Sequence, residues 1–165
     1  IARVAWEVAT DEAFTNIVVS GDTQTGISRD WTVKALAEGL TPGVTYFYRF
    51  SLSGDVSPVG RTKTLPTGAI DQARFAVISC SNFPFGYFNV YDLIARHENL
   101  DAVIHLGDYL YEYGVDGYGG SVGQNIDRNH EPPLEIVSLD DYRTRHAQYK
   151  TDPDLQAAHA AAPWI

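Results

Sequence analysis

A strand–helix–strand pattern in the middle of the chain constrains the fold most strongly. Residues 75–78 read Phe-Ala-Val-Ile, a continuous apolar run that is typical of a strand buried on both faces. Residues 89–98 follow, with Val90, Leu93, Ile94 and His97 at helical spacing. Residues 101–106 then form a second apolar run, which we expect to be a second buried strand. Two strands joined through a helix predict a βαβ unit, and therefore a parallel sheet.

Residues 1–66 have a different pattern, in which short strands are separated by turns. Alternating side chains predict strands at 4–8, 31–35 and 46–50. A short apolar run at 17–19 is a further candidate, ended by the turn signal Gly21-Asp22, and residues 59–64 are the last. Short strands with turn residues between them predict a β-sandwich.

Tyr46 supports this interpretation. It follows the turn signal Pro42-Gly43 at the start of a strand, where its hydroxyl can bond back to the turn while its ring enters the core. The stretch resembles fibronectin type III-like domains, and Trp6 resembles the core tryptophan of their third strand. Because such a domain has more strands than this segment offers, we expect its first two strands to precede residue 1.

The chain is therefore expected to be the front portion of a longer protein. Residues 66–69 (Pro-Thr-Gly-Ala) read as a linker, which predicts a partial fibronectin type III-like β-sandwich at 1–66 and a second domain at 67–165. In the second domain, residues 112–137 read as a long loop. Helices are expected after Ser138, with Asp141 completing a capping box, and after Asp152. A new strand is expected to begin at 163–165.

Composition excludes several classes of protein. The formal net charge of −9 argues against a protein that binds the phosphate backbone of nucleic acids. A single cysteine, Cys80, cannot form an intrachain disulfide. No apolar run is long enough to cross a bilayer.

Polar side chains follow both strands of the expected βαβ unit. Cys80 follows the first strand, and Asp108 and Tyr111 follow the second. Ligands of open α/β sheets gather beyond the carboxyl ends of the strands, so these three side chains should lie close together. Phenolate and carboxylate oxygens suit ferric iron, and a carboxylate can also bridge to a second cation such as calcium.

Each residue also has a purely structural interpretation. Cys80 could be core packing, Asp108 could end the strand or cap the next element, and Tyr111 could belong to an aromatic surface stripe. Five other residues with functional side chains are better explained by packing, salt bridges or solvation: His105, His130, Arg143, Arg145 and His159. The joint placement of Cys80, Asp108 and Tyr111 favours a site.

The chain resembles a known enzyme family at these residues. The pattern Gly-Asp-x-x-Tyr at 107–111 is similar to the second motif of calcineurin-like metallophosphoesterases that bind iron through a tyrosine. Their first strand normally ends in an Asp-x-His or Asp-x-Gly motif, where this chain has Cys80. A cysteine at this position resembles the pattern of the alkaline phosphatase D (PhoD-type) family. Residues 75–82, 105–114 and 141–165 also resemble that family.

The resemblance implies that 67–165 is the first βαβ part of a metallophosphoesterase αββα sandwich. It implies Fe(III) bound by Cys80 and Tyr111, and Asp108 bridging the iron and Ca(II). It implies hydrolysis of phosphate monoesters and diesters by a metal-activated water, in a secreted or periplasmic protein exported by the twin-arginine route. The family's later motifs, including Trp-Asp-Asp-His-Glu, are absent from residues 1–165. We expect further residues, or another chain, to complete the site and the fold.

Two other functions remain open at this point. Purple-acid-phosphatase-like enzymes also join a fibronectin-like module to a Gly-Asp-x-x-Tyr site, although they have aspartate where this chain has Cys80. A non-catalytic extracellular β-sandwich module could instead bind a partner through exposed aromatic side chains such as Tyr87, Tyr113 and Tyr118.

Overall fold

The structure, a computed structural model, describes all residues from 1 to 165. The chain divides into two compact units, residues 1–73 with 160–163 and residues 74–159 with 164–165. The first unit contains the strands β1 (Ala2–Ala9), β2 (Ile17–Thr25), β3 (Thr45–Leu52), β4 (Asp55–Val56) and β5 (Gly60–Lys63). The second contains β6 (Phe75–Ile78), α1 (Asn89–Arg96), β7 (Ala102–His105), α2 (Gly120–Asn125), α3 (Leu139–Tyr149) and most of α4 (Pro153–Ala161).

The first unit is one antiparallel sheet. Its strand order is β2-β1-β3-β4, and β5 pairs with β3. The alternation at 4–8 and 46–50 correctly predicted β1 and β3, and Val4, Val8 and Tyr46 are buried. Residues 1–66 form this sheet without a second one packed face to face, so the two-sheet fibronectin type III-like sandwich stays a prediction.

Tyr46 forms the expected hydrogen bond to the upstream turn. Its ring is buried, and its hydroxyl accepts the backbone N–H of Thr41 at 2.9 Å. Gly43 has φ 72°, in the left-handed region that a glycine enters at low cost. The side chain of Thr64 donates to the Thr41 carbonyl at 2.7 Å, so the same turn is also tied to the residue that follows β5. The turn and the core are thus held by one tyrosine, as predicted.

The turn expected at Gly21-Asp22 is wrong, because β2 continues through both residues. Gly21 lies opposite Trp6 in the register of β1 and β2. A Cβ atom at position 21 would lie 2.7 Å from the Trp6 ring, so the glycine makes room for a cross-strand indole. The indole itself is only half-buried, whereas the fibronectin resemblance implied a core tryptophan.

The strand expected at 31–35 is also wrong. Trp31 has φ 55° and is 58% exposed, which is incompatible with a strand residue on a buried face. The backbone here closes a turn instead: the Trp31 N–H donates to Gly26 at 3.1 Å, and the Thr25 hydroxyl donates to the Thr32 carbonyl at 2.6 Å.

The second unit contains the predicted βαβ arrangement. Strands β6 and β7 pair in parallel from Phe75 opposite Ala102 to Ile78 opposite His105, with α1 between them in sequence. The end of the chain extends this sheet, because the Ile165 N–H donates to Val103 at 2.9 Å. A strand was expected to begin at 163–165, and the structure has an isolated parallel bridge there, between Trp164 and Val103.

Burial in this unit differs from the prediction. Phe75 and Val77 are 51% and 59% exposed, so β6 is not buried on both faces. Helix α1 likewise buries Tyr91 and Ile94, whereas Val90 and Leu93, predicted on the buried face, are exposed. The spacing of apolar side chains therefore indicated the strand and the helix correctly, but it did not indicate which of their faces is buried.

The caps of the last two helices are as predicted. Ser138 and Asp141 form a capping box at the start of α3, in which the Ser138 N–H donates to the Asp141 carboxylate at 2.8 Å. A carboxylate oxygen of Asp152 accepts the N–H groups of Asp154 and Leu155 at the start of α4. The long segment 112–137 is not a loop throughout, because it contains α2. None of the helices combines the length and the hydropathy needed to span a membrane.

Candidate metal centre

The carboxyl ends of β6 and β7 meet at one edge of the sheet. Beyond the paired strands, the Cys80 N–H donates to the Gly107 carbonyl at 3.1 Å and the Ser81 N–H donates to the Asp108 carbonyl at 2.9 Å. The parallel register therefore continues into both loops, and it places residue 80 beside residues 107–108. The main chain alone thus brings the cysteine and the aspartate together.

Both residues have an unusual backbone conformation. Cys80 has φ 62° and Asp108 has φ 51°, so each lies in the left-handed region. This region costs an L-residue about 1–2 kcal/mol, and residues held there cluster at functional sites. The sheet hydrogen bonds described above hold these two residues in place despite that cost.

Two side chains converge on one carboxylate oxygen of Asp108. The Cys80 thiol lies 3.7 Å from Oδ2 of Asp108, and the Tyr111 hydroxyl donates to the same oxygen at 3.2 Å. Cys80 and Asp108 are both exposed. The structure therefore brings together all three residues that the sequence analysis selected, at a position open to solvent.

The electrostatics of this cluster suit a cation. The pKa of Tyr111 is raised well above its ordinary value by desolvation, by its hydrogen bonds with Cys80 and Asp108, and by the negative charges of the same two groups. Positive charge close to the Tyr111 hydroxyl would favour its ionised form. Thiolate, carboxylate and phenolate are all anionic ligands, and a bound cation would relieve their mutual repulsion.

No cluster of three or more histidine, cysteine, aspartate or glutamate side chains suited to a metal ion occurs in residues 1–165. The third donor of the candidate site is Tyr111, and tyrosine is not one of these four residue types. The donors that this chain supplies fit a ferric ion through their chemistry, since hard phenolate and carboxylate oxygens favour a small, highly charged cation.

A buried network lies beside the site. The Ser81 hydroxyl contacts the Tyr91 hydroxyl and lies 3.3 Å from Nε2 of His105. Nδ1 of the same histidine accepts the Gly107 N–H at 3.3 Å. Burial lowers the pKa of His105, although the Asp108 carboxylate opposes the shift, so the ring favours its neutral form. The ring of His105 is thus satisfied within the protein, by a hydroxyl and a backbone amide.

The other histidines lie away from the three donors. His159 stacks on Trp164 with ring centroids 3.8 Å apart and contacts the Tyr109 hydroxyl at 2.9 Å, so its assignment to packing is confirmed. His130 was expected to be solvated, which is wrong: it is 1% exposed, and its Nδ1 lies 2.8 Å from the Tyr113 carbonyl. Neither ring reaches the cluster formed by Cys80, Asp108 and Tyr111.

The two arginines of α3 differ sharply. Arg143 pairs with Asp140 at 3.2 Å on the surface, as expected. Arg145 was expected to be paired or solvated as well, but it is completely buried and donates to the Tyr111 carbonyl at 2.5 Å. Tyr149 lies four residues later, on the same face of the helix, and it too is completely buried.

Comparison with known proteins identifies the family. The model described as "PhoD-like phosphatase" matches residues 75–165, which hold all three donors. The chain belongs to the PhoD-like phosphatase family. The model described as "PhoD-like phosphatase, N-terminal domain" matches residues 1–66. The resemblance noted at residues 75–82, 105–114 and 141–165 is therefore confirmed at the level of the family.

Individual relatives agree. Alkaline phosphatase D of Bacillus subtilis (strain 168) is 48% identical over 164 residues, which are 98% of this chain and 27% of that protein. A solved structure described as the structure of PhoD matches with a TM-score of 0.91 and 44% identity, over 99% of this chain and 31% of that one. The chain thus spans between a quarter and a third of the length of these PhoD-like relatives.

Proposed function

We propose that the intact protein to which this chain belongs hydrolyses phosphate esters, both monoesters and diesters. The observation that supports this most is the convergence of Cys80 and Tyr111 on the Asp108 carboxylate, in a member of the PhoD-like phosphatase family. The purple-acid-phosphatase-like alternative is weaker, because a cysteine stands where those enzymes have aspartate.

The donors of this chain would hold the metal ions. Cys80 and Tyr111 would bind iron(III), and Asp108 would be shared between iron and calcium. When bound, the cations supply positive charge against the phosphoryl oxygens and activate water for attack on phosphorus. The backbone hydrogen bonds from Cys80 to Gly107 and from Ser81 to Asp108 would hold both ligands at the sheet edge, so little reorganisation would be needed when a substrate arrives.

The two segments would have different roles. We assign residues 1–66 to an accessory fibronectin type III-like domain and residues 67–165 to the first part of a metallophosphoesterase domain. Secretion or transport to the periplasm through the twin-arginine route belongs to the same proposal, which rests for this point on family resemblance.

The test uses the intact gene product and its single-site variants Cys80→Ser, Asp108→Asn and Tyr111→Phe. Losing a group that merely orients a metal ligand typically costs about 10–100-fold, so losing a ligand should lower kcat/KM for p-nitrophenyl phosphate by at least about 100-fold. Bis(p-nitrophenyl) phosphate tests the diesterase activity in the same way.

The matched control is Tyr113→Phe. This tyrosine is 38% exposed and stacks on Tyr111 with ring centroids 6.3 Å apart, but its hydroxyl does not join the three donors. Activity should survive in this control and fall in the three ligand variants. Full activity of Cys80→Ser and Tyr111→Phe on both substrates would refute the proposal.

A further inference from the structure

The buried arginine of α3 makes an unusual set of contacts. Its guanidinium donates only to backbone carbonyls: those of Tyr111, Tyr113, Glu131, Pro132 and Leu134. The side chain of Arg145 is completely buried, so it cannot bind a phosphate group from solvent. Burying an arginine is unfavourable unless its donors are satisfied, and here five carbonyls satisfy the rigid fork of N–H groups.

These carbonyls belong to two stretches of the segment that follows β7. One stretch, 111–113, begins with the candidate ligand Tyr111, and the other, 131–134, returns past it. The two are also joined directly, because the Val115 N–H donates to Pro133 at 2.8 Å and the Ile136 N–H donates to Glu112 at 3.0 Å. Arg145 lies between the two stretches and ties each to α3.

The same helix also holds the loop that follows the other ligand. Tyr149, one turn after Arg145, is completely buried, and its hydroxyl accepts the Phe83 N–H at 3.0 Å. Phe83 lies three residues after Cys80. One face of α3 therefore fixes the loop after β6 through Tyr149 and the loop after β7 through Arg145.

We propose that Arg145 is a positioning residue for the metal centre, which holds the Tyr111 backbone where its hydroxyl meets Asp108 before any metal binds. This inference rests on the proposed function, because it assigns a role relative to the ligands named there. Arg145 donates directly to the Tyr111 carbonyl, so the restraint acts on the ligand residue itself.

The first experiment compares Arg145→Lys with the matched control Arg143→Lys in the intact protein. A lysine at position 145 keeps the positive charge but cannot reach five carbonyls. Arg143 is a suitable control because it lies on the same helix and pairs with Asp140 at the surface. Iron(III) is added to metal-free protein, and the dissociation constant and the tyrosinate-to-iron absorption band are measured. We expect Arg145→Lys to bind iron about 10–100-fold more weakly with a shifted band, and Arg143→Lys to match wild type.

Wild-type iron affinity and an unshifted band in Arg145→Lys would overturn the proposal. A purely structural role would lower the melting temperature of the variant and leave both iron readouts unchanged. The band is therefore the measurement that separates a positioning role from general stabilisation of the fold.

A second measurement uses only the wild-type protein and covers the case in which Arg145→Lys does not fold. Hydrogen exchange of the wild-type peptide covering residues 109–115 is compared without and with iron(III). We expect the Val115 amide, which donates to the Pro133 carbonyl, to exchange slowly in both states, because Arg145 already holds the two stretches together. Rapid exchange that becomes slow only when iron is added would contradict the proposal.

The two hypotheses can also fail separately. If the wild-type protein binds no iron, the proposed metal centre is wrong. Hydrogen exchange over residues 109–115, compared between metal-free wild type and metal-free Arg145→Lys, still decides the role of the arginine. Faster exchange in the variant would support the restraint on Tyr111, and unchanged exchange would refute it.

Discussion

Replacing Asp152 should cost more stability than replacing any exposed aspartate, because this carboxylate has two separate tasks. One oxygen, Oδ1, caps α4 by accepting the N–H groups of Asp154 and Leu155 at 3.0 and 3.1 Å. The other, Oδ2, accepts from Arg128 at 2.7 Å, and both side chains of this ion pair are largely buried. The Arg128 guanidinium also lies 3.6 Å above the Phe83 ring.

The two tasks can be separated by two variants. Asp152→Asn keeps an oxygen that can cap the helix but removes the negative charge, which leaves a buried arginine unpaired at a cost of about 3 kcal/mol. Asp152→Ala also removes the cap, which adds about 1 kcal/mol, so its total cost is about 4 kcal/mol. The control is Asp140→Asn: its pair with Arg143 is exposed, and the expected loss is about 0.5 kcal/mol or less.

Hydrogen exchange of the peptide covering residues 150–162 in the intact protein measures these losses locally. A cost of about 3 kcal/mol should speed exchange by about 100-fold in Asp152→Asn, and Asp152→Ala should exchange faster still. Exchange in Asp152→Asn within about fivefold of wild type, or equal exchange in the two variants, would refute the assignment of two independent tasks.

Three further predictions concern both units. Tyr46→Phe should lower stability by about 1 kcal/mol, measured by urea denaturation, because it leaves a turn amide without its acceptor. Gly21→Ala should cost about 1–3 kcal/mol in the same assay, since the added methyl group would meet the Trp6 ring at 2.7 Å, and an unchanged midpoint would contradict this. Burial lowers the pKa of His130 from 6.5 to about 4, with the nearby arginine charge acting in the same direction. The unfolded chain therefore takes up this proton first, and stability present above pH 6.5 should fall by on the order of 3 kcal/mol as the pH drops to 4. In thermal melts, the stability of His130→Gln should fall less than that of wild type as the pH drops from 6.5 to 4. The exposed control His97→Gln should lose as much stability as wild type over the same range.

Local chemistry predicted much of this fold. The pairing of Ser138 with Asp141, the cap at Asp152 and the Tyr46 hydrogen bond each depend on residues close in sequence, and all three were anticipated. The βαβ unit was also recognisable, because two apolar runs flank a segment with helical periodicity. The three donors could be selected for a similar reason, since parallel strands end at the same sheet edge.

Long-range contacts account for the errors. The turn signal at Gly21 was overridden by a tryptophan on the neighbouring strand, which the local sequence cannot reveal. Arg145 and His130 belong to residue types that are usually exposed. In this structure both are buried against backbone carbonyls of the segment after β7, which accept hydrogen bonds from Arg145 and lie beside the His130 ring. Neither contact follows from any motif around those two residues.

Metal analysis of the intact protein, purified without chelator and combined with a visible spectrum of the same sample, tests the central claim most directly. Stoichiometric iron with calcium, together with a tyrosinate-to-iron band that Tyr111→Phe abolishes, is the expected result. Absence of bound metal that persists after iron and calcium are supplied would contradict the assignment of Cys80, Asp108 and Tyr111 as metal ligands.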